Sequence, residues 1–203
     1  MINGSKAGLP GNRMPTAMLL SLFVLAALFF CPQAFSQEVR SGSSGRQLRA
    51  HALKSVPFQQ LNQPTKEKIS GILTKPSIYR RLPLTTIHAD PDSFRFLVRY
   101  PEVIVYIWQL MGVTRMTSDR TGPFTYDTKD GAGTISSLEL VYGNENLHIF
   151  YGTGSYEGPV LRKKLTGSCV LILHTDYAKA AGGKTQTTSQ LDVFLKVENA
   201  TLG

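Results

Sequence analysis

Apolar residues are spaced in three different ways along this chain. Residues 17–30 form one apolar run, broken only by Ser21. From Thr65 the spacing becomes helical. Ile69, Ile72 and Leu73 fall on one side of a short segment that ends at Lys75-Pro76, where the residue before proline is pushed out of helical geometry. Beyond Val113 the period drops to two, the signature of strands with one face turned inward.

Between these regions the pattern predicts a strand over Tyr79–Ile87, interrupted by Pro83, which suits an edge or a bulge. Asp90-Pro91 then opens a helix to about Arg99, with a capping carboxylate followed by proline at the first helical position. Pro101 starts a second helix over roughly 102–111. It places Val103, Ile107 and Leu110 on one stripe with Ile104, Trp108 and Met111 beside it, and Gly112 closes it. Strands follow at Phe124–Tyr126, Gly133–Tyr142, Leu147–Tyr151, within Val160–Tyr177, and at Gln190–Glu198. Short turn signals such as Lys129-Asp130-Gly131 separate them, so the strands should form an antiparallel meander with one face dry and one wet. The expected fold class is α+β: a curved antiparallel sheet of about five to seven strands with a short helix pair after the first strand.

The first apolar run changes the picture of what is left to fold. Lys6 and Arg13 precede it, no acid does, and Cys31-Pro32 and Ala34-Phe35-Ser36 follow. A basic start, an apolar run of about 14 residues and small residues at −3 and −1 are the parts of a secretory signal. The run is short of the roughly 20 residues that span a bilayer, so an uncleaved anchor is the second reading. Phe30 before Cys31 argues against lipidation. The expected organisation is a signal peptide over 1–36, a flexible polar linker over 37–64 and one α+β domain over 65–203. The product would be exported to the periplasm or beyond, with no stable membrane span after cleavage. Removing 36 of 203 residues leaves 167, enough for one domain with a core.

Several motifs carry resemblances. Thr86-Ile87-His88-Ala89-Asp90-Pro91-Asp92, followed by Trp108 and Val113-Thr114-Arg115-Met116, resembles the opening strand and helix pair of the START-like, helix-grip superfamily over about 79–198. Tyr79-Arg80-Arg81-Leu82-Pro83, Tyr100-Pro101-Glu102-Val103, Ile107-Trp108-Gln109-Leu110-Met111-Gly112 and Tyr156-Glu157-Gly158-Pro159 are similar to a family of uncharacterised exported proteins of planctomycete-type bacteria. The resemblance implies export, and carries no functional residues across. A helix-grip domain ends in a long helix across its sheet. Asn199-Ala200-Thr201 can begin one, but the sequence stops at Gly203. The expected dry face of Leu138, Leu140, Tyr142, Leu147, Ile149, Leu191, Val193 and Leu195 would then lack part of its lid. A partner subunit, a folded-back tether or an apolar ligand would have to cover it; otherwise the expectation is a shortened form of a longer parent, only marginally stable.

Charge and candidate chemistry add mostly exclusions. The formal net charge of +8 falls to +6 once Lys6 and Arg13 leave. That excess suits solubility and loose attraction to anionic surfaces, and no interleaved aromatic-basic patch suggests nucleic acid. Cys169 is the only cysteine past the signal and lies in an apolar run, where it behaves as a small hydrophobe. His51, His88, His148 and His174 show no metal-ligand spacing, so neither a metal nor any other cofactor is expected. Gly152-Thr153-Gly154-Ser155 lacks the lysine of a phosphate loop and reads as a strand-end loop. No serine lies in a nucleophile motif, and no catalytic residue is assigned.

Trp108, Tyr126, Leu140, Tyr142 and Tyr151 are the candidate ligand-binding residues, an apolar lining with a few polar tips. The expected function is a non-enzymatic exported binding module that holds an apolar small molecule or lipid between sheet and helices. The second expectation is an envelope interaction protein whose uncovered sheet face docks a partner or a second copy. An enzyme of the cyclase or hydrolase kind sits third, and needs a convergent carboxylate–histidine pair.

Overall fold

The structure, a computed structural model, describes residues 42–158, 164–180 and 183–198. The expected signal peptide, the start of the expected linker and the expected start of a C-terminal helix lie outside the described residues.

Eight antiparallel strands form one open sheet, so the architecture is α+β as expected, with more strands than the five to seven foreseen. The strands are β1 (Ile78–Arg81), β2 (Thr85–Ile87), β3 (Thr117–Gly122), β4 (Thr125–Lys129), β5 (Thr134–Gly143), β6 (Leu147–Tyr156), β7 (Leu165–Lys179) and β8 (Thr185–Val197). Their order is β1-β8-β7-β6-β5-β4-β3, with β2 also on β8. The predicted strand over Tyr79–Ile87 is split at Pro83 into β1 and β2, both on the edge beside β8. Proline cannot donate to a ladder. The added strand β3 is the polar run Thr117–Gly122 at the opposite edge.

Among the described residues the α-helices are α1 (Arg46–Lys54), α2 (Gln63–Thr74), α3 (Pro91–Arg99) and α4 (Pro101–Leu110), with a 3-10 turn at Phe58–Gln60. α2 buries Thr65, Ile69, Ile72 and Leu73, and starts at Asn62, whose side chain accepts from the Thr65 N–H at 2.9 Å. α3 starts at Asp90, which accepts from the Ser93 N–H at 2.9 Å. Pro101 then opens α4 directly after the last residue of the α3 cap, Tyr100. Gly112, at φ +69°, takes the left-handed turn that ends α4.

Both faces of the sheet are apolar, which corrects the expectation of one wet face. On the first face Tyr79, Leu147, Ile149, Val170, Ile172 and Phe194 pack under α1 and α2. On the second, Phe150, Leu171, Leu173, Leu191, Val193 and Leu195 meet Phe94 and Val98 of α3. The central strands β6, β7 and β8 are therefore buried on both sides, and the period of two is blurred there. Leu138, Leu140, Leu191, Val193 and Leu195 do share the second face. Tyr142, Leu147 and Ile149 lie on the first, because a bulge between Leu140 and Tyr142 turns β5 over and β6 pairs Phe150, not Ile149, with Leu140.

The expected linker is likewise corrected from Gly42 onward. Ser43 bridges to Arg81, and α1 seats Ala52 at full burial, followed by Val56 and Leu61 in the first core. Its short apolar stripe is enough because α2 and the sheet supply the rest of the cover. α4 also turns differently from the expected stripe. Pro101 and Val105 are buried, whereas Ile107, Leu110 and Met111 face solvent.

Candidate functional site

The five residues expected to line one pocket are divided by the sheet. Tyr126 is fully buried on the second face and donates its hydroxyl to the Arg99 carbonyl at 2.5 Å, tying β4 to the end of α3. Leu140 packs in the second core, and Trp108 against Val105 and Met116 of a small third cluster. Tyr142 and Tyr151 lie on the opposite face, packed against the first core under α1 and α2. There the Tyr142 hydroxyl donates to Gln60 Oε1 at 2.6 Å, and Lys68 Nζ sits 5.7 Å from the centre of the Tyr151 ring. Such a split set serves packing on two sides and cannot contact one ligand.

A cleft does exist, on the half of the second face that α3 and α4 leave open. Its floor runs across β4 to β8 through Thr128, Leu138, Gly152, Cys169 and Leu195, with Met116 at one rim and Tyr156 and Leu165 at the other end. The unfilled space is about 830 Å³, which includes open solvent at the mouth. Asp130 is the single formally charged residue of the lining. Its Oδ1 is engaged by the N–H groups of Ala132 and Thr134 at 2.7 and 2.9 Å.

The depth of this cleft comes from glycines. Gly152 and Gly154 lie in mid-strand on β6, paired on both sides, and not in a loop as the sequence suggested. Their two-residue spacing puts both on the cleft face. A Cβ at Gly152 would come within 2.7 Å of Leu138 Cδ2 and 2.9 Å of Cys169 Sγ. One at Gly154 would meet the Ile135 carbonyl at 2.9 Å. The Gly-x-Gly alternation inside an otherwise β-forming run was the available signal for a floor without side chains.

Cys169 sits on that floor as a thiol, and burial pushes its pKa up to about 12. A thiol so desolvated does not act as a nucleophile near neutral pH.

One serine–histidine contact invites an enzymatic reading. Ser55 Oγ lies 3.0 Å from His174 Nε2. Ser55 Oγ also donates to the Ala52 carbonyl at 2.8 Å, so its proton is already placed and His174 must donate to it. A histidine that donates to the hydroxyl cannot take its proton. Both oxygens of Asp192, the nearby carboxylate, are occupied by Tyr79 and Arg81. The contact is a helix-end clasp that holds the α1 terminus to β7.

His148 is the other buried imidazole, on β6 under α3. Arg99 Nε donates to its Nε2 at 3.3 Å, which places its own proton on Nδ1, an atom without a partner among the described residues. Burial, together with Arg99 and Arg95, lowers its pKa to about 4. No group of three or more histidines, cysteines or carboxylates able to hold a metal occurs among the described residues.

No protein-family model matches the chain, and no curated protein matches it.

Proposed function

We propose that this chain is an exported, non-enzymatic binding module that holds an apolar small molecule or lipid chain in the cleft over β4–β8. The observation that carries the reading is the cleft floor itself: an apolar strip between Leu138 and Leu195, deepened by Gly152 and Gly154, on the sheet face that the helix pair covers only in part. Each methylene moved from water onto such a floor contributes about 0.8 kcal/mol. The lining carries one formal charge, at its margin, and its Ser and Thr hydroxyls, such as the Thr128–Ser136 pair at 2.6 Å, are the polar groups an apolar chain would cover. The order of strand, helix pair and antiparallel meander supports the START-like resemblance, in which a ligand lies between sheet and helices. That analogy of fold is a weaker support than the cleft.

The test is organic extraction of the purified protein followed by mass spectrometry, in parallel with a variant, Ser136→Phe, that fills the cleft from β5. A bound apolar species in the parent and its loss in the folded variant is the expected result. An empty parent that also fails to take up a fluorescent fatty acid overturns the reading. Should the empty protein run as a dimer in sizing experiments, the docking of a second copy on the same face becomes the better account.

A further inference from the structure

Charge is distributed unevenly over the described residues. Residues 42–81, which make α1, α2 and β1, carry eight lysines and arginines and one acid, Glu67, a net of +7. The described residues after Arg81 carry nine cations and twelve acids, a net of −3. Most of the excess is therefore carried by the two helices over the first sheet face, away from the cleft, while Arg80, opposite Val193, projects from the β1 edge on the other face.

Few of those eight cations are used internally. Lys68 pairs with Glu139 at 2.8 Å, and Arg81 with Asp192 at 2.8 Å. Arg49 caps the last carbonyls of α2, Leu73 and Thr74. The other five, Arg46, Lys54, Lys66, Lys75 and Arg80, have no acidic partner among the described residues, and all but the half-buried Lys66 are exposed. Lys196 of β8 joins them, since a Cβ at Gly71 of α2 would lie 3.9 Å from its Nζ. The inward sides of the same helices are fixed by Ala52, Ile69, Ile72 and Leu73, which commits the basic sides to solvent.

We propose that this α1–α2 layer is a docking surface for a lipid membrane bearing anionic headgroups. The cations Arg46, Lys54, Lys66, Lys75 and Lys196 are spread over two helices and β8 and do not converge on one point, which fits an extended sheet of charge better than a single phosphate. Nucleic acid is disfavoured because single strands are held by exposed aromatic platforms among the cations. The two aromatics of this stretch, Phe58 and Tyr79, are both turned into the first core. The choice of a bilayer rests on the export expectation, which brings the chain to a membrane, and is independent of what the cleft holds.

Each cation close to an anionic bilayer strengthens binding by roughly fivefold, and the attraction fades within a Debye length. The experiment is co-sedimentation of the purified chain with vesicles of phosphatidylcholine alone and of phosphatidylcholine with phosphatidylglycerol, at low and high salt. A triple variant, Arg46→Gln, Lys54→Gln and Lys75→Gln, changes three exposed side chains and leaves the buried stripe intact. Its melting temperature confirms that it folds. We expect binding to the anionic vesicles that is lost at high salt and weakened on the order of 100-fold in the triple variant, but kept in a control with Arg115→Gln and Lys129→Gln. Ser136→Phe should bind vesicles as the parent does, which separates this surface from the cleft. Equal binding to both kinds of vesicle, no binding to either, or an unchanged triple variant overturns the proposal. So does displacement of the vesicles by single-stranded DNA at equal charge.

Discussion

Asp192 has none of its surface exposed, and three hydrogen bonds reach its carboxylate: one from the Tyr79 hydroxyl at 2.7 Å and two from the Arg81 guanidinium at 2.8 Å. The three residues stitch the edge strand β1 to β8 across the first face. Desolvation and the neighbouring carboxylate push the Tyr79 phenol well above its ordinary range, so it stays a donor. Breaking a buried pair by removing one partner strands the other charge, at about 3–5 kcal/mol. Asp192→Asn should therefore cost in that range, and Tyr79→Phe only about 1–2 kcal/mol, because Arg81 still satisfies the carboxylate. Urea unfolding of the two variants measures both, and equal losses would show that the ion pair is not the main contributor.

His148 makes a pH prediction at the same scale. Its folded pKa of about 4 lies below the ordinary 6.5, because burial and then Arg99 and Arg95 oppose the charge. The unfolded chain thus takes up a proton that the native state refuses. Stability is intact above about 6.5 and falls as pH drops toward 4, by roughly 3 kcal/mol in all. Unfolding at pH 7 and pH 4.5 should show that loss, and His148→Gln should flatten it.

At the scale of elements, the helices with strong local signals were legible. Asp90-Pro91 and the spacing of Ile69, Ile72 and Leu73 located α3 and α2 to within a few residues, because capping and helical period act over one or two turns. α1 was not legible. Leu48, Ala52 and Leu53 are its only apolar contributors to the core, and their partners on α2 and β6–β8 are far away in sequence. β3 was missed because Thr117–Gly122 is an edge strand with no apolar stripe. The candidate site failed for a related reason. A single bulged residue on β5 puts Tyr142 on the face opposite Leu140, and alternation counted along the chain does not see it. The cleft was hidden because its floor is marked by missing side chains at Gly152 and Gly154. Hydrogen exchange tests the correction to the linker: amides of α1 should be protected in the native state, where a tether over 46–54 would exchange at the rate of a free peptide.

At the scale of the whole molecule, the sheet separates two surfaces of opposite character. One carries the basic helical layer, and the other an apolar cleft beside a helix whose last turn leaves Leu110 and Met111 each 70% exposed. Exposed apolar residues in that density, together with Tyr106 and Ile107, mark a contact surface more often than a solvent-facing one. No helix among the described residues is long and apolar enough to cross a membrane. The two surfaces do not compete for the same residues, which is why the cleft-filling and charge-removing variants should behave independently.

The pairing of β1 and β2 with β8 alone sets the order in which the chain can mature. Ile78 is partnered by Leu195, and Thr85 by Ser189, so the first strands have no seat until the last one has been made. The Asp192 clasp, which joins Tyr79 and Arg81 to β8, waits on that closure. The meander from β3 to β7 can pair as it is made, whereas the two amino-terminal strands stay unpaired until Thr185–Val197 has been synthesised. Long-range loop closure then seats β1 and β2, a pairing of high sequence separation and hence a slow one.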